Sequence, residues 1–192
     1  MKSIIAFLFC LLPLALATTY TSYPSNDVHV AFTQSTNPES CISSTYTQTG
    51  NLKVQNTVVF GHTSRTYSYI EFSLPAGVSG AITSASLKLT VATSPSSNVH
   101  VEVFQTGVGW VESGGCAGLQ TLGTSQASGI VSGTAGSTIT LDLTVMVQAA
   151  INASATQVSV RVTVQPAYYE AADFYSRSEA TASRRPTLEI VQ

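Results

Sequence analysis

The stretch Gln157–Val164, QVSVRVTV, sets the first constraint. Val158, Val160, Val162 and Val164 alternate with Ser159, Arg161 and Thr163. A period of two places the valines on one face of an extended strand and the polar residues on the other; no helix can do this. The pattern recurs. ASLKLTVA sets Leu87, Leu89 and Val91 against Lys88 and Thr90, and NVHVEVF sets Val99, Val101 and Val103 against His100 and Glu102. STITLDL adds Ile139, Leu141 and Leu143, and SYIEFSL and TLEIV repeat the alternation. Turn clusters (TSPSSN, ESGGCAG, SGTAGS, PAGVSGA) separate these runs. Short alternating strands with such punctuation predict an all-β sandwich or barrel with one buried and one solvated face per strand. One short helix is expected at VMVQAAI, capped by Thr144, with Val147 and Ile151 on a shared face. The Gly/Ser/Thr-rich segment from Glu112 to Ser137 reads as a long connection.

The N-terminus follows other rules. MKSIIAFLFCLLPLALA has one Lys, an apolar run and small residues at Ala15 and Ala17. This is the layout of a signal peptide over residues 1–17, and the run is too short for a membrane span. Residues 18–192 are expected to form a single domain, with no membrane span after cleavage. Loss of Lys2 leaves seven basic and ten acidic residues. That weakly acidic balance argues against nucleic acid and against an anionic membrane surface. Cys41 and Cys116 then form an even pair. In a secreted chain such a pair reads as a disulfide, with two buried thiols as the alternative. Asn152-Ala153-Ser154 is an N-glycosylation sequon, meaningful only in a eukaryotic secretory pathway.

Catalytic signatures are sparse. The sequence has no G-x-S-x-G, P-loop, EF-hand or zinc spacing. Glu71, Glu102, Asp142 and Glu189 fall on the polar sides of predicted strands and read as solvated charges, and no enzyme is expected. No cofactor is expected either; a structural calcium on backbone carbonyls and one or two carboxylates is left open. Aromatic residues are more suggestive: Tyr69, Trp110 and Tyr169 are candidates for stacking on sugar rings, since each joins an apolar face to a polar tip.

Taken in order, NDVHVAF, LKVQN, SRTYSYIEFSLP, ITSASLKLTV, VEVFQTGVGWVE, LDLTVMVQAAI, VSVRVTV and DFYSRSEATASRRPTLEIV resemble the DNRLRE domain, also described as carbohydrate-binding module family 96. The resemblance spans about Tyr23 to Val191. It implies a jelly-roll type antiparallel β-sandwich in an extracellular protein, without catalytic activity, and some members bind alginate-like polysaccharides. By position it picks out Asp27, Arg65, Trp110, Glu112, Asp142, Thr144, Arg177 and Glu179. Two departures stand out: Ser73 replaces an acidic residue, and Ser178 splits the family's SRE.

The closing segment places Asp173, Arg177, Glu179, Arg184 and Arg185 close together before the last strand. Arg177 is expected to close a structural clasp with Glu179 or Glu112, its planar fork suiting carboxylates; a ligand-binding role for Arg177 is the alternative. The expected function is binding of extracellular or cell-wall polysaccharide by a secreted module. A structural or adhesive extracellular protein without specific glycan binding is the second reading.

Overall fold

The computed structural model describes residues 17–34, 40–41, 50–59, 62–112 and 121–192. The expected signal peptide and the Cys41–Cys116 disulfide lie outside the described residues. Twelve strands form: β1 (Thr19–Ser22), β2 (Pro24–Gln34), β3 (Ser40–Cys41), β4 (Leu52–Val59), β5 (His62–Ser73), β6 (Ser84–Thr93), β7 (Val99–Thr106), β8 (Thr121–Val131), β9 (Thr138–Asp142), β10 (Gln157–Val164), β11 (Ala171–Phe174) and β12 (Thr187–Val191). One helix, α1 (Thr144–Asn152), and a 3-10 turn at Ala182–Arg184 complete the chain.

Every strand pair is antiparallel, and the architecture is an all-β sandwich. One layer runs β1-β12-β6-β9 and the other β2-β5-β10-β7-β8. The layers are joined through β4 and β11. Along one edge of β5, residues 68–73 pair with β10 while residues 62–66 pair with β4. β4 then pairs with β11, and β11 with β6. Between the layers lies a core of Leu52, Val54, Ile70, Phe72, Leu87, Leu89, the alternating valines of β7 and β10, and Leu188 and Ile190.

The predicted alternation places these residues inward as expected, but the opposite face is not uniformly solvated. Val28 and Val30 of β2, Tyr67 and Tyr69 of β5, and Trp110 form a second apolar cluster there. Ser159 and Thr163 on β10 are therefore buried rather than exposed. Glu71, expected to be solvated, is 1% exposed. It accepts the Gly109 N–H at 2.6 Å, Asn26 Nδ2 at 3.1 Å and Gln157 Nε2 at 3.2 Å. Gly109 has a φ of +78°, a left-handed backbone that glycine adopts without a steric penalty. That turn aims its N–H at Glu71 and carries the next residue, Trp110, back over the sheet.

Two further expectations are corrected. The segment 112–137 contains strand β8, which pairs with β7 through register shifts at Phe104. Its middle, residues 123–129, is small and mostly polar, as suits a sheet edge, so no alternation announced it. Thr144 is not the helix cap. Its hydroxyl accepts the Ala85 N–H at 2.9 Å and donates to Asp142 Oδ1 at 2.6 Å. Asp142 also accepts the Thr144 N–H at 2.8 Å, and these bonds to Thr144 hold its carboxyl below the usual range.

Glu71→Ala leaves three donors of the buried site without an acceptor. The expected loss is about 3 kcal/mol or more of unfolding free energy. Urea unfolding followed by the fluorescence of Trp110, the sole tryptophan, measures it; an unchanged midpoint would refute the anchoring role.

Candidate functional site

Two constellations border the β2-β5-β10-β7-β8 layer, the first at its β2 edge and the second on its outer face. The first gathers distant parts of the sequence. Asp27 on β2 is buried and accepts the Arg177 N–H at 2.5 Å. Glu112 accepts the Asp27 N–H at 3.0 Å and Arg177 Nε at 2.7 Å. Asp27 Oδ1 stands 3.7 Å from the same Nε. One cation thus holds together β2, the turn after β7 and the segment after β11. Trp110 sits beside it, its Nε1 donating to Ser159 Oγ at 2.8 Å and its carbonyl accepting Asn26 Nδ2 at 3.2 Å.

The sequence-selected residues therefore separate. Arg177 meets Glu112, while Glu179 lies elsewhere: its carboxylate accepts the Thr181 N–H and stands 4.0 Å from Arg184. The side chain of Arg177 is 41% exposed, but its Nε is already committed. Trp110 and Tyr69 are 5% and 1% exposed and pack edge-to-face with ring centroids 6.4 Å apart. Neither offers a ring face on which a sugar could stack, because both belong to the second apolar cluster. Tyr169 is 68% exposed.

The second constellation includes a residue that sequence reasoning treated as a solvated strand position. Arg161 on β10 pairs across the sheet with Tyr69 on one side and Phe104 on the other. Its guanidinium carbon lies 4.5 Å from the centre of the Tyr67 ring and 4.7 Å from that of Phe104. Its Nε is buried without a hydrogen-bond partner, and among the described residues no carboxylate pairs with it. Arg161, Arg65, Tyr67, Glu102, Phe104 and Pro166 line a cleft of about 90 Å³. Strand alternation brings His100, Glu102 and Phe104 to the same face of β7. Tyr168 stacks on His100 with ring centroids 3.8 Å apart and planes 9° from parallel. Glu170 fixes that stack, accepting the His100 N–H at 2.6 Å and facing its Nδ1 at 3.1 Å. Asn56 Nδ2 donates to the carbonyls of Pro166 and Tyr168 and so holds the loop that presents Tyr168 and Tyr169. The signal for Arg161 lay in aromatic residues on neighbouring strands, legible only once the register is known.

Among the described residues, no group of three or more His, Cys, Asp or Glu is placed to hold a metal ion, and no helix is long and apolar enough to cross a membrane.

Burial raises Asp27 from 3.8 to about 6, opposed by the N–H and charge of Arg177 and reinforced by Glu112. A carboxyl whose folded pKa is raised takes up its proton more readily when folded. Its contribution to stability is complete below about pH 4 and is lost as pH rises through about 6. Two pH units correspond to on the order of 3 kcal/mol. Asp27→Asn cannot titrate, so the stability of wild type relative to this variant is expected to rise on going from about pH 7.5 to about pH 4.5. Parallel urea titrations test this; a pH-independent difference contradicts it.

The profile of carbohydrate-binding module family 96 matches residues 18–192, nearly the whole chain. No curated protein gives a significant match. A family of this kind is generally non-catalytic and implies a carbohydrate partner. The all-β sandwich agrees with what the DNRLRE resemblance implies, and the chain belongs to carbohydrate-binding module family 96.

Proposed function

We propose that this protein is a secreted, non-catalytic module that binds extracellular or cell-wall polysaccharide at the Arg161 cleft and the adjoining Tyr168–Tyr169 loop. The observation that carries the reading is the state of Arg161. Its guanidinium is held between two aromatic rings at the cleft, and among the described residues no carboxylate pairs with it. Nε itself has almost no accessible surface, so a ligand would meet the guanidinium at its terminal nitrogens. A sugar hydroxyl or carboxylate supplies an acceptor for them, and the rings keep the planar fork oriented before the ligand arrives.

The surroundings support the same reading. Tyr168 and Tyr169 are the exposed aromatic residues beside the cleft, and a pyranose C–H face stacks on such rings. Glu102 offers an acceptor for sugar hydroxyls. Glycoside hydrolysis uses two carboxyls across the scissile bond, and Glu102 is the single carboxylate among the cleft-lining residues, which favours a binding role. The ion pair of Arg177 with Glu112 reads as architecture, because its carboxylate partners already satisfy it.

Co-sedimentation with a panel of neutral and acidic polysaccharides tests the proposal. The wild type should bind at least one polymer selectively. Arg161→Gln and Tyr169→Ala should each weaken that binding by about tenfold or more, the scale of losing one charge-assisted hydrogen bond or one stacked ring. Their unfolding midpoints should stay close to wild type. Absence of binding by folded protein across the panel would overturn the reading and favour a structural or adhesive role.

A further inference from the structure

The sequon Asn152-Ala153-Ser154 takes no part in the proposed binding surface, and the structure gives it a distinctive setting. Asn152 is the last residue of α1, and all three sequon residues are exposed. Gln148 Nε2, one turn earlier, donates to Asn152 Oδ1 at 2.9 Å. Nδ2, the atom that would carry a sugar, has no protein partner among the described residues.

Ser154 is the more telling residue. Its φ is +56°, the only positive φ at a non-glycine among the described residues. Helices commonly end on a left-handed residue, and Gly or Asn fills that place at lower conformational cost than Ser. The Ser154 N–H is used, donating to Ile151 at 2.9 Å. Its hydroxyl, however, makes no hydrogen bond within the described residues. Folding alone therefore favours Gly at this position and gives no use for the hydroxyl. The sequon does need it, since only Ser or Thr two residues after Asn marks an acceptor.

Shallow grooves flank the site. One, of about 610 Å³, is lined by Leu74, Pro75, Val78 and Ile151 and reaches Ser154. The other, of about 330 Å³, includes Val108, Ala149 and Ala153. A core glycan rooted on Asn152 has apolar floor on both sides for its first sugars. Asn152 is not among the residues that line the Arg161 cleft.

We infer that Asn152 is an N-glycan attachment site, used when the chain passes through a eukaryotic secretory lumen. In the reaction, Asn152 Nδ2 displaces a lipid pyrophosphate from C1 of the reducing-end sugar of a lipid-linked oligosaccharide. The N–C1 bond forms, the C1–O bond to phosphate breaks with its electron pair, and the amide proton passes to a base of the transferase.

The test is secretion of the full chain from a eukaryotic host. In parallel, a version carries the host's own leader in place of residues 1–17, which separates failure of the leader from failure of the site. Amidase deglycosylation should sharpen a slower gel band and convert Asn152 to Asp, seen by peptide mass. Asn152→Gln should abolish the shift and Ser154→Thr should keep it. Ser154→Gly should abolish it while leaving the unfolding midpoint equal or higher, so loss of the glycan is not mistaken for misfolding. An unmodified Asn152 peptide from folded protein secreted with the host leader would overturn the inference, and so would a band shift that survives Asn152→Gln. None of these readouts depends on whether the protein binds polysaccharide.

Discussion

A carboxylate buried on the outer face of a sheet is the constraint around which this sandwich is organised. Glu71 faces away from the main core, where a strand residue ordinarily meets water. Three donors from three separate segments converge on it instead: the Gly109 N–H, Asn26 and Gln157. Burying a charge is tolerable only when its oxygens are fully engaged. The arrangement is therefore cooperative, because no donor can leave without exposing a defect in the others. Asp27, a few ångströms of chain away on the neighbouring strand, is organised differently. It shares the Arg177 cation with Glu112 and remains costly enough to ionise that its proton is held to about pH 6. The two acidic sites together press the turn after β7 and the segment after β11 onto the sheet.

The consequence is a division of the outer face, which can be followed along β10. Gln157 serves Glu71, and Ser159 receives the indole N–H of Trp110. Both are occupied by internal architecture. One pleat further, Arg161 lies between Tyr67 and Phe104, and the buried Thr163 follows in the wall of the cleft. The covered half is internally satisfied; the uncovered half holds a guanidinium that no carboxylate pairs with among the described residues. A binding surface benefits from this arrangement, since side chains fixed before the ligand arrives lose little freedom on binding.

The sequence revealed the core well because one physical signal carried it. Alternation assigned the inward residues of β6, β7, β9 and β10, all of which rest on burial. It was silent where a strand buries few large side chains, so β8, rich in Gly, Ser and Thr, passed as a connection. It misled where a second layer covers the polar face: Glu71 and Ser159 looked solvated because local sequence carries no record of the Trp110 turn folding over them. The aromatic residues show the same limit. Trp110 and Tyr69 have the chemistry of sugar platforms and the burial of core residues, and only tertiary packing separates these roles. Arg177 found Glu112 rather than Glu179 for a similar reason. Glu112 lies far off in sequence and is brought in by the turn that Gly109 initiates, whereas Ser178 sets Glu179 apart from Arg177, where it meets Thr181 and Arg184 instead.

Arg161 draws these lines together. Lysine at that place would carry the same charge, but its flexible stem and point-like ammonium would gain little from two flanking rings. Guanidinium gains from both, its carbon lying 4.5 Å from the centre of the Tyr67 ring and 4.7 Å from that of Phe104. Glu102 across the cleft adds an acceptor where a ligand hydroxyl would follow, so donor and acceptor sit on adjacent strands at a spacing set by the sheet itself. A module built this way needs no moving parts. On the proposed function its selectivity would rest on strand register, and the register is supported by the buried polar contacts on the other half of the sheet.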